Sequence, residues 1–427
     1  MLNRQQAPDF KQVSTINFIQ PEKKVLDNGV PVFTIYSGEQ DLVRIEFIFD
    51  NVNWKLEKPL QAIAVSALIN NGTNKLSAKE IAEQIDFYGA FFQTEYAQDQ
   101  SSVTLYTLNK HLHSVLPIVK DVLSESQFPQ HELDIYIQNQ KQKLQVNLKK
   151  NDILSRKEFA HALFGDTAYG VNIKAEHYDA LQREDLVDYF KAAYAPNNCT
   201  IVISGKFDDT GFNLLNKAFG RDWEKSDAVK NSFSFTLTTK QFVYTEKPEA
   251  LQSAIRIGQL AINRKHEDFS GLQILNTVLG GYFGSRLMNN IREDKGYTYG
   301  IGSGISSLQQ AGYLFIATEV GADVCSAALT EIYKEIEILK NEPVGEEELN
   351  LVRNYMLGSM LGSLENVFSH ADKFKNIYFA GLDYDYYTKY IEKVKTITAE
   401  ELLVLANKYL RTDHFTEVVI GKKISVN

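Results

Sequence analysis

The sequence predicts an α+β fold made of two similar halves in tandem, and three observations carry that prediction. Strands that alternate apolar and polar residues flank runs of helices, and this order of elements occurs twice. Four groups of residues recur at one spacing of 216: Glu132-Leu133 with Glu348-Leu349, Gly165 with Gly381, Glu184-Asp185-Leu186 with Glu400-Glu401-Leu402, and Gly205-Lys206 with Gly421-Lys422. Several matches at one period, in one order, are the mark of duplication. Gly89 pairs with Gly296 at 207, so a few residues were gained or lost between. The polar stretch SDAVKNS falls between the copies. We therefore expect a first domain over 1–225, a linker over 226–232 and a second domain over 233–427.

The elements follow in order. KVLDNGVPVFTIY (24–36) carries the tight-turn signal Asp27-Asn28-Gly29, and LVRIEFIFD (42–50) alternates as a half-buried strand does. A helix is expected over 59–70, ending at Asn70-Asn71-Gly72-Thr73. Ser77 followed by Glu80 forms a capping box that opens a helix over 78–88. Residues 90–108 alternate again. Helices follow at about 111–125, 131–150, 152–164 and 183–195, and CTIVISG (199–205) is a short buried strand. In the second half, QFVYTEK (241–247), SAIRIGQLAI (253–262) and GYLFIATEVG (312–321) read as strands, as does the segment after Gly296, where Tyr297 and Tyr299 would share a face. LQILNTVLGGYF (272–283), SRLMNNIRED (285–294), 324–341, 346–364 and AEELLVLANKYL (399–410) read as helices, and FTEVVIGK (415–422) closes the chain.

Composition narrows the function. With 427 residues, 44% apolar and 23% charged, the chain has room for two ordinary cores. Its net charge of −9, with no basic block, points away from nucleic acid. Cys199 and Cys325 lie far apart in apolar settings and are expected as buried thiols of a reducing compartment. No apolar run reaches the 18–20 or so residues that span a bilayer, and MLNRQQAPDFKQ has no hydrophobic signal core. A cytoplasmic protein is expected, or a periplasmic one if a leader has been removed.

The usual chemistry-bearing patterns are missing from the sequence. The histidines are His111, His113, His131, His161, His177, His266, His370 and His414, and no two stand four apart on a helix, where both rings would face one zinc ion. No nucleophile elbow or phosphate-binding lysine loop occurs, and the glycines of LGGYFG (279–284) suit a close helix-to-helix turn. The loaded stretch is 284–302, GSRLMNNIREDKGYTYGIG. Arg286, Arg292 and Lys295 alternate with Glu293 and Asp294, and Gly296 suits a left-handed helix stop before an aromatic strand. Read from these residues alone, the stretch is a solvated helix end.

LGGYFGSRLMNNIREDKGYTYGIGSGI (279–305) resembles the C-terminal half of the pitrilysin/insulinase superfamily of zinc peptidases (family M16), in the small two-chain bacterial M16B branch near the mitochondrial processing peptidases. NNGT (70–73), YAPNNCTIVISGKF (194–207) and KHEDFSGLQILNTVLGG (265–281) fall where that family has its usual signposts, so the resemblance covers nearly the whole chain. It implies two α/β-sandwich domains of the LuxS/MPP-like metallohydrolase type, forming half of a clamshell. Catalytic members carry His-x-x-Glu-His on the helix before the Gly-Thr turn. Here those positions are Ile63, Ser66 and Ala67, and the region of the third ligand is Gln140-Lys141-Gln142-Lys143-Leu144. The edge strand GAFFQTEYAQD (89–99) departs as well, with Gln93-Thr94 where the family has an Asn-Ala step. In contrast, the Arg and Tyr that the family's second half presents to substrate, seven residues apart, are matched by Arg292 and Tyr299. Arg286 and Tyr297 are expected to be structural.

The resemblance thus implies a chain without its own metal or catalytic group. It would work as the non-catalytic subunit of a heterodimer, with zinc in a homologous partner and Arg292 and Tyr299 donated to a peptide. The alternative is an inactive scaffold or peptide-binding homodimer, as in the core proteins of the bc1 complex. A self-contained peptidase with a relocated metal lacks any candidate ligand set.

Overall fold

Alternation of buried and exposed side chains, read from the sequence as strands, becomes two separate sheets in the computed structural model, which describes residues 13, 15–38 and 40–422. The N-terminal stretch 1–12 lies outside the described residues. The chain begins with β1 (Glu22–Val25), β2 (Pro31–Tyr36) and β3 (Leu42–Asp50), then α1 (Gln61–Leu68) and α2 (Ala78–Phe87). The alternating stretch from 90 divides into β4 (Phe91–Tyr96) and β5 (Gln100–Leu108) around a short turn. Helices α3 (Leu112–Glu125), α4 (Gln130–Asn147), α5 (Asn151–Phe164), α6 (Ala175–Asp179) and α7 (Arg183–Ala193) lead to β6 (Cys199–Gly205) and α8 (Asp209–Phe219). The second run has β7 (Gln241–Glu246), β8 (Gln252–Ala261), α9 (Phe269–Asn276), β9 (Thr298–Ser307) and β10 (Gly312–Gly321). It continues through α10 (Cys325–Asn341), α11 (Glu346–Gly362), α12 (Val367–Tyr378), α13 (Asp385–Thr396) and α14 (Ala399–Tyr409) to β11 (Thr416–Gly421).

The first sheet has the order β1-β2-β6-β3-β5-β4 and the second β7-β11-β8-β10-β9. Leaving out β1, the two orders match strand for strand. The pair β2/β6 is parallel, as is its counterpart β7/β11, and the remaining pairs of both sheets are antiparallel. The duplication read from residue spacing is therefore present in the backbone. Gly165 and Gly381, one period apart, both hold positive φ (+57° and +71°) just after α5 and α12. At the start of α7 and α14 the same cap recurs: Asp185 accepts from the Gln182 N–H (3.1 Å) and Glu401 from the Thr398 N–H (3.0 Å).

Two helices trade sides. α5 covers the second sheet, where Phe159, Leu163 and Phe164 pack with Ala254, Val418 and Ile420. Its counterpart α12 covers the first sheet, with Ala371 and Phe374 against Phe33, Ile35, Ile48 and Val202. An ion cluster lies under this second contact. Arg44, on β3, reaches Glu46 and Asp372 (both 3.0 Å), and Lys375 meets Glu46 and Asp372 in turn. Arg44 and Glu46 are almost fully enclosed, so their charges are tolerable only because they are paired. Helices α6, α8, α12 and α13 are not among those expected from the sequence. Two of them carry start signals: Asp208 caps α8 by accepting from the Gly211 N–H (2.9 Å), and Asn366 caps α12 through the N–H groups of Phe368 and Ser369, whereas Tyr384 at the start of α13 makes no side-chain cap bond.

Candidate functional site

Arg292 and Tyr299 stand at the free end of β9, and the geometry around them is irregular. LQILNTVLGGYF and SRLMNNIRED were expected as ordinary helices, but both carry wide π-helical turns, at Thr277–Gly281 and Met288–Asp294. Such turns re-aim side chains and recur at functional sites. Buried Met288 and Ile291 anchor the second turn in the core, and the Asn290 amide ties it to α10 through Glu331 (2.9 Å) and Glu335 (2.7 Å). Gly296 closes it in the left-handed region (φ +65°), as the sequence suggested, and its N–H donates to the Arg292 carbonyl (3.2 Å).

Arg292 itself points outward. Its guanidinium lies 4.7 Å from the centre of the Phe283 ring and pairs with the Glu293 carboxylate. Tyr299 is 93% exposed, and its hydroxyl makes no hydrogen bond with the described residues. The expectation that Tyr297 and Tyr299 share a strand face is corrected. Tyr297 precedes β9 and packs against the core, and the pairing of β9 with β10 slips between Thr318 and Val320, so that Tyr299 and Gly300 together oppose Glu319. This bulge breaks the alternation and turns Tyr299 out. The Thr298 hydroxyl stabilises it, within hydrogen-bond distance of the Gly300 N–H (3.0 Å), the Gly300 carbonyl (2.9 Å) and the Glu319 carbonyl (2.7 Å). Arg286, expected to be structural, holds Glu348 through two bonds of 2.9 and 2.8 Å.

The three positions of the expected metal motif lie on helix α1. On α1, Ile63 is half-buried, Ala67 exposed and Ser66 buried. Ile63 and Ala67 carry no donor atoms, and the Ser66 hydroxyl sits beside the buried Tyr194 phenol. On α4, Gln140, Lys141 and Leu144 are half-buried, Gln142 and Lys143 exposed, and Lys141 pairs with Asp179. This set does not fit zinc, which takes thiolate, imidazole or carboxylate ligands. Among the described residues, no three His, Cys, Asp or Glu converge as a metal site. The helix persists because its turn is structural. Gly72 has φ +139°, and a Cβ there would stand 2.9 Å from Pro129 Cγ. Thr73 bonds Asp121, and the Asn71 amide reaches Glu132 (2.9 Å).

Gln93 and Thr94 lie on β4, the edge strand that matches β9 in the other sheet. Cys199 and Cys325 are buried free thiols; burial pushes both thiols up, that of Cys199 furthest. Among the described residues, no helix is long and apolar enough to cross a membrane.

Comparison with known proteins finds the same fold and family resemblance. The family described as "Peptidase M16 inactive domain" matches residues 180–356. The "Uncharacterized zinc protease YmxG" of Bacillus subtilis is 27% identical over 304 residues, covering 69% of this chain and 72% of that protein. The "Non-peptidase homolog YmxG" of Helicobacter pylori is 22% identical over 374 residues, covering 83% of each. A crystal structure of a peptidase M16 inactive domain from Pseudomonas fluorescens shares the fold, with a TM-score of 0.85 at 20% identity over 95% of this chain and 99% of that one. The chain is thus similar to M16 peptidases and their inactive homologues: its residues 180–356 match the inactive-domain family, and its fold is that of M16-like structures.

Proposed function

We propose that this chain is the non-catalytic subunit of a two-chain M16 zinc peptidase. In this reading a homologous partner carries the zinc and its ligands. The two chains close into a clamshell, and this one presents Arg292 and Tyr299 to a peptide bound at the partner's site. The single observation that carries the reading is the contrast between the two halves. The metal positions Ile63, Ser66 and Ala67 hold no ligand, whereas Arg292 and Tyr299 are held outward on a π-turn and a bulge. A guanidinium and a phenol are both donors, suited to charge growing on a carbonyl oxygen. Arg292 is now paired with Glu293, and an incoming carbonyl would share that guanidinium. We take 1–225 and 233–427 as the two domains, joined at 226–232, and place the protein in the cytoplasm.

The test is reconstitution with a homologous chain that has an intact His-x-x-Glu-His motif. Arg292→Ala is expected to lower turnover of a peptide about 10²-fold, and Tyr299→Phe about tenfold, as for loss of one oxyanion donor. Full activity with both variants would refute the substrate-side role. It would favour the second reading, an inactive scaffold or peptide-binding homodimer, which the degenerate metal helix supports equally well.

A further inference from the structure

Behind the Ile305 end of β9 lies a cavity of about 380 Å³, enclosed by the loop after β8 and by α9, α11, α12 and α13. Its electrostatics are one-sided. Arg264 and Lys373 line it, and among the described residues no Asp or Glu does. Arg264 is fixed from two sides, donating from Nη1 to the Asn376 carbonyl (2.7 Å) and from Nε to the Ser307 hydroxyl (3.3 Å). Its Nη2 has no partner among the described residues. Lys373 is half-buried; its carbonyl accepts from the Tyr387 hydroxyl (2.8 Å), but its ammonium makes no hydrogen bond or ion pair with the described residues. Burial and the nearby Arg264 charge hold its ammonium below the usual lysine value, against the pull of Asp372. Asp372 already faces Arg44 (3.0 Å) and Lys375 (2.9 Å). Two cations lining one cavity, with the nearby Asp372 carboxylate already shared with Arg44 and Lys375, are costly to keep in an aromatic and hydroxyl-rich wall.

The remaining lining restricts the anion. Tyr386 and Tyr390 stack along one side, with the Tyr386 hydroxyl donating to Gln273 (3.3 Å). The side-chain oxygen of Asn276 is an enclosed acceptor without a donor. Met356, Met360 and Ile305 supply an apolar floor. A polyphosphate would call for more cations or a nest of backbone N–H groups. Two cations, an amide acceptor and a floor for one apolar side chain match a single carboxylate with the peptide unit before it.

We propose that this cavity is a subsite for the free C-terminal carboxylate of a peptide, with Arg264 and Lys373 binding the charge; the word peptide, as against a small carboxylate, rests on the proposed function above. The experiment is calorimetric titration of the full chain, without partner, with acetyl-Ala-Ala-Leu as the free acid and as the C-terminal amide, and with acetate and inorganic phosphate. The free acid is expected to bind about tenfold or more tightly than the amide, as a charge-assisted bond is lost in the amide. Arg264→Gln and Lys373→Met are each expected to erase most of that difference. Lys373→Met breaks no recorded bond, so its melting temperature should equal that of the parent. Equal binding of acid and amide, binding of neither, or an acid preference indifferent to both substitutions overturns the proposal. Acetate binding as tightly as the free acid, or phosphate binding through Arg264 in place of the acid, overturns the assignment to a peptide. The acid–amide difference is read without turnover, so it fails or stands separately from the heterodimer reading.

Discussion

Single residues decide how Tyr299 meets solvent. The bulge that turns it outward is held by the Thr298 and Thr318 hydroxyls, and Thr298→Val leaves the Gly300 N–H and the Glu319 carbonyl without the first of them. The expected cost is about 1–3 kcal/mol in a denaturant melt, together with loss of any turnover effect that depends on Tyr299. Retention of both would show that the strand pairing and the Thr318 hydroxyl hold the bulge without Thr298. His370 is a second case. Its Nδ1 accepts from the Ile19 N–H (3.3 Å), and burial lowers the imidazole pKa below its ordinary 6.5. The unfolded imidazole takes up its proton near pH 6.5 and the folded one resists, so protonation favours unfolding. This contribution is fully present above about pH 6.5 and is lost as pH falls through the lower folded value. Unfolding free energy followed from pH 7.5 to 5 should therefore drop more steeply for the parent than for His370→Asn. At this scale the sequence was partly legible. The seven-residue spacing of Arg292 and Tyr299 was visible, but the bulge that separates Tyr299 from Tyr297 was not, because a register slip depends on the partner strand.

At the scale of elements, the reciprocal placement of α5 and α12 is the main finding. Each helix buries an aromatic face on the sheet of the other half. Phe374 lies 4.9 Å from Phe33, ring centre to ring centre. Phe374→Ala should cost about 3–5 kcal/mol in global stability, the usual range for a buried aromatic truncation. A cost below about 1 kcal/mol would mean that α12 detaches easily from the first sheet. The ion cluster beneath gives an independent check. Arg44→Met leaves Glu46 enclosed with Lys375 as its remaining partner, and a loss of about 3–5 kcal/mol is expected. The residue period matched Gly165 with Gly381, and the structure shows that these glycines follow α5 and α12. The period held no sign of the exchange, since a helix's apolar stripe does not state which sheet it covers.

For the whole molecule, the exchange predicts one cooperative unit. Hydrophobic clusters join residues from both sides of 226–232, so calorimetry of the full chain should show a single unfolding transition. Two resolved transitions would show that the halves are energetically separate. Metal content belongs to the same scale. Purified chain, dialysed against micromolar zinc, is expected to retain far less than one equivalent by elemental analysis, because Ile63, Ser66 and Ala67 hold no zinc ligand. Stoichiometric zinc would require a ligand set assembled some other way. The sequence by itself determined the duplication, the order of the strands and the absence of ligand side chains at Ile63, Ser66 and Ala67, because those follow from local periodicity and residue identity. Only the tertiary structure decided which helix covers which sheet, that Tyr299 is free while Tyr297 is packed, and that Arg264 and Lys373, 109 positions apart in the sequence, line one cavity. Those outcomes depend on contacts between distant segments, and no local pattern encodes them.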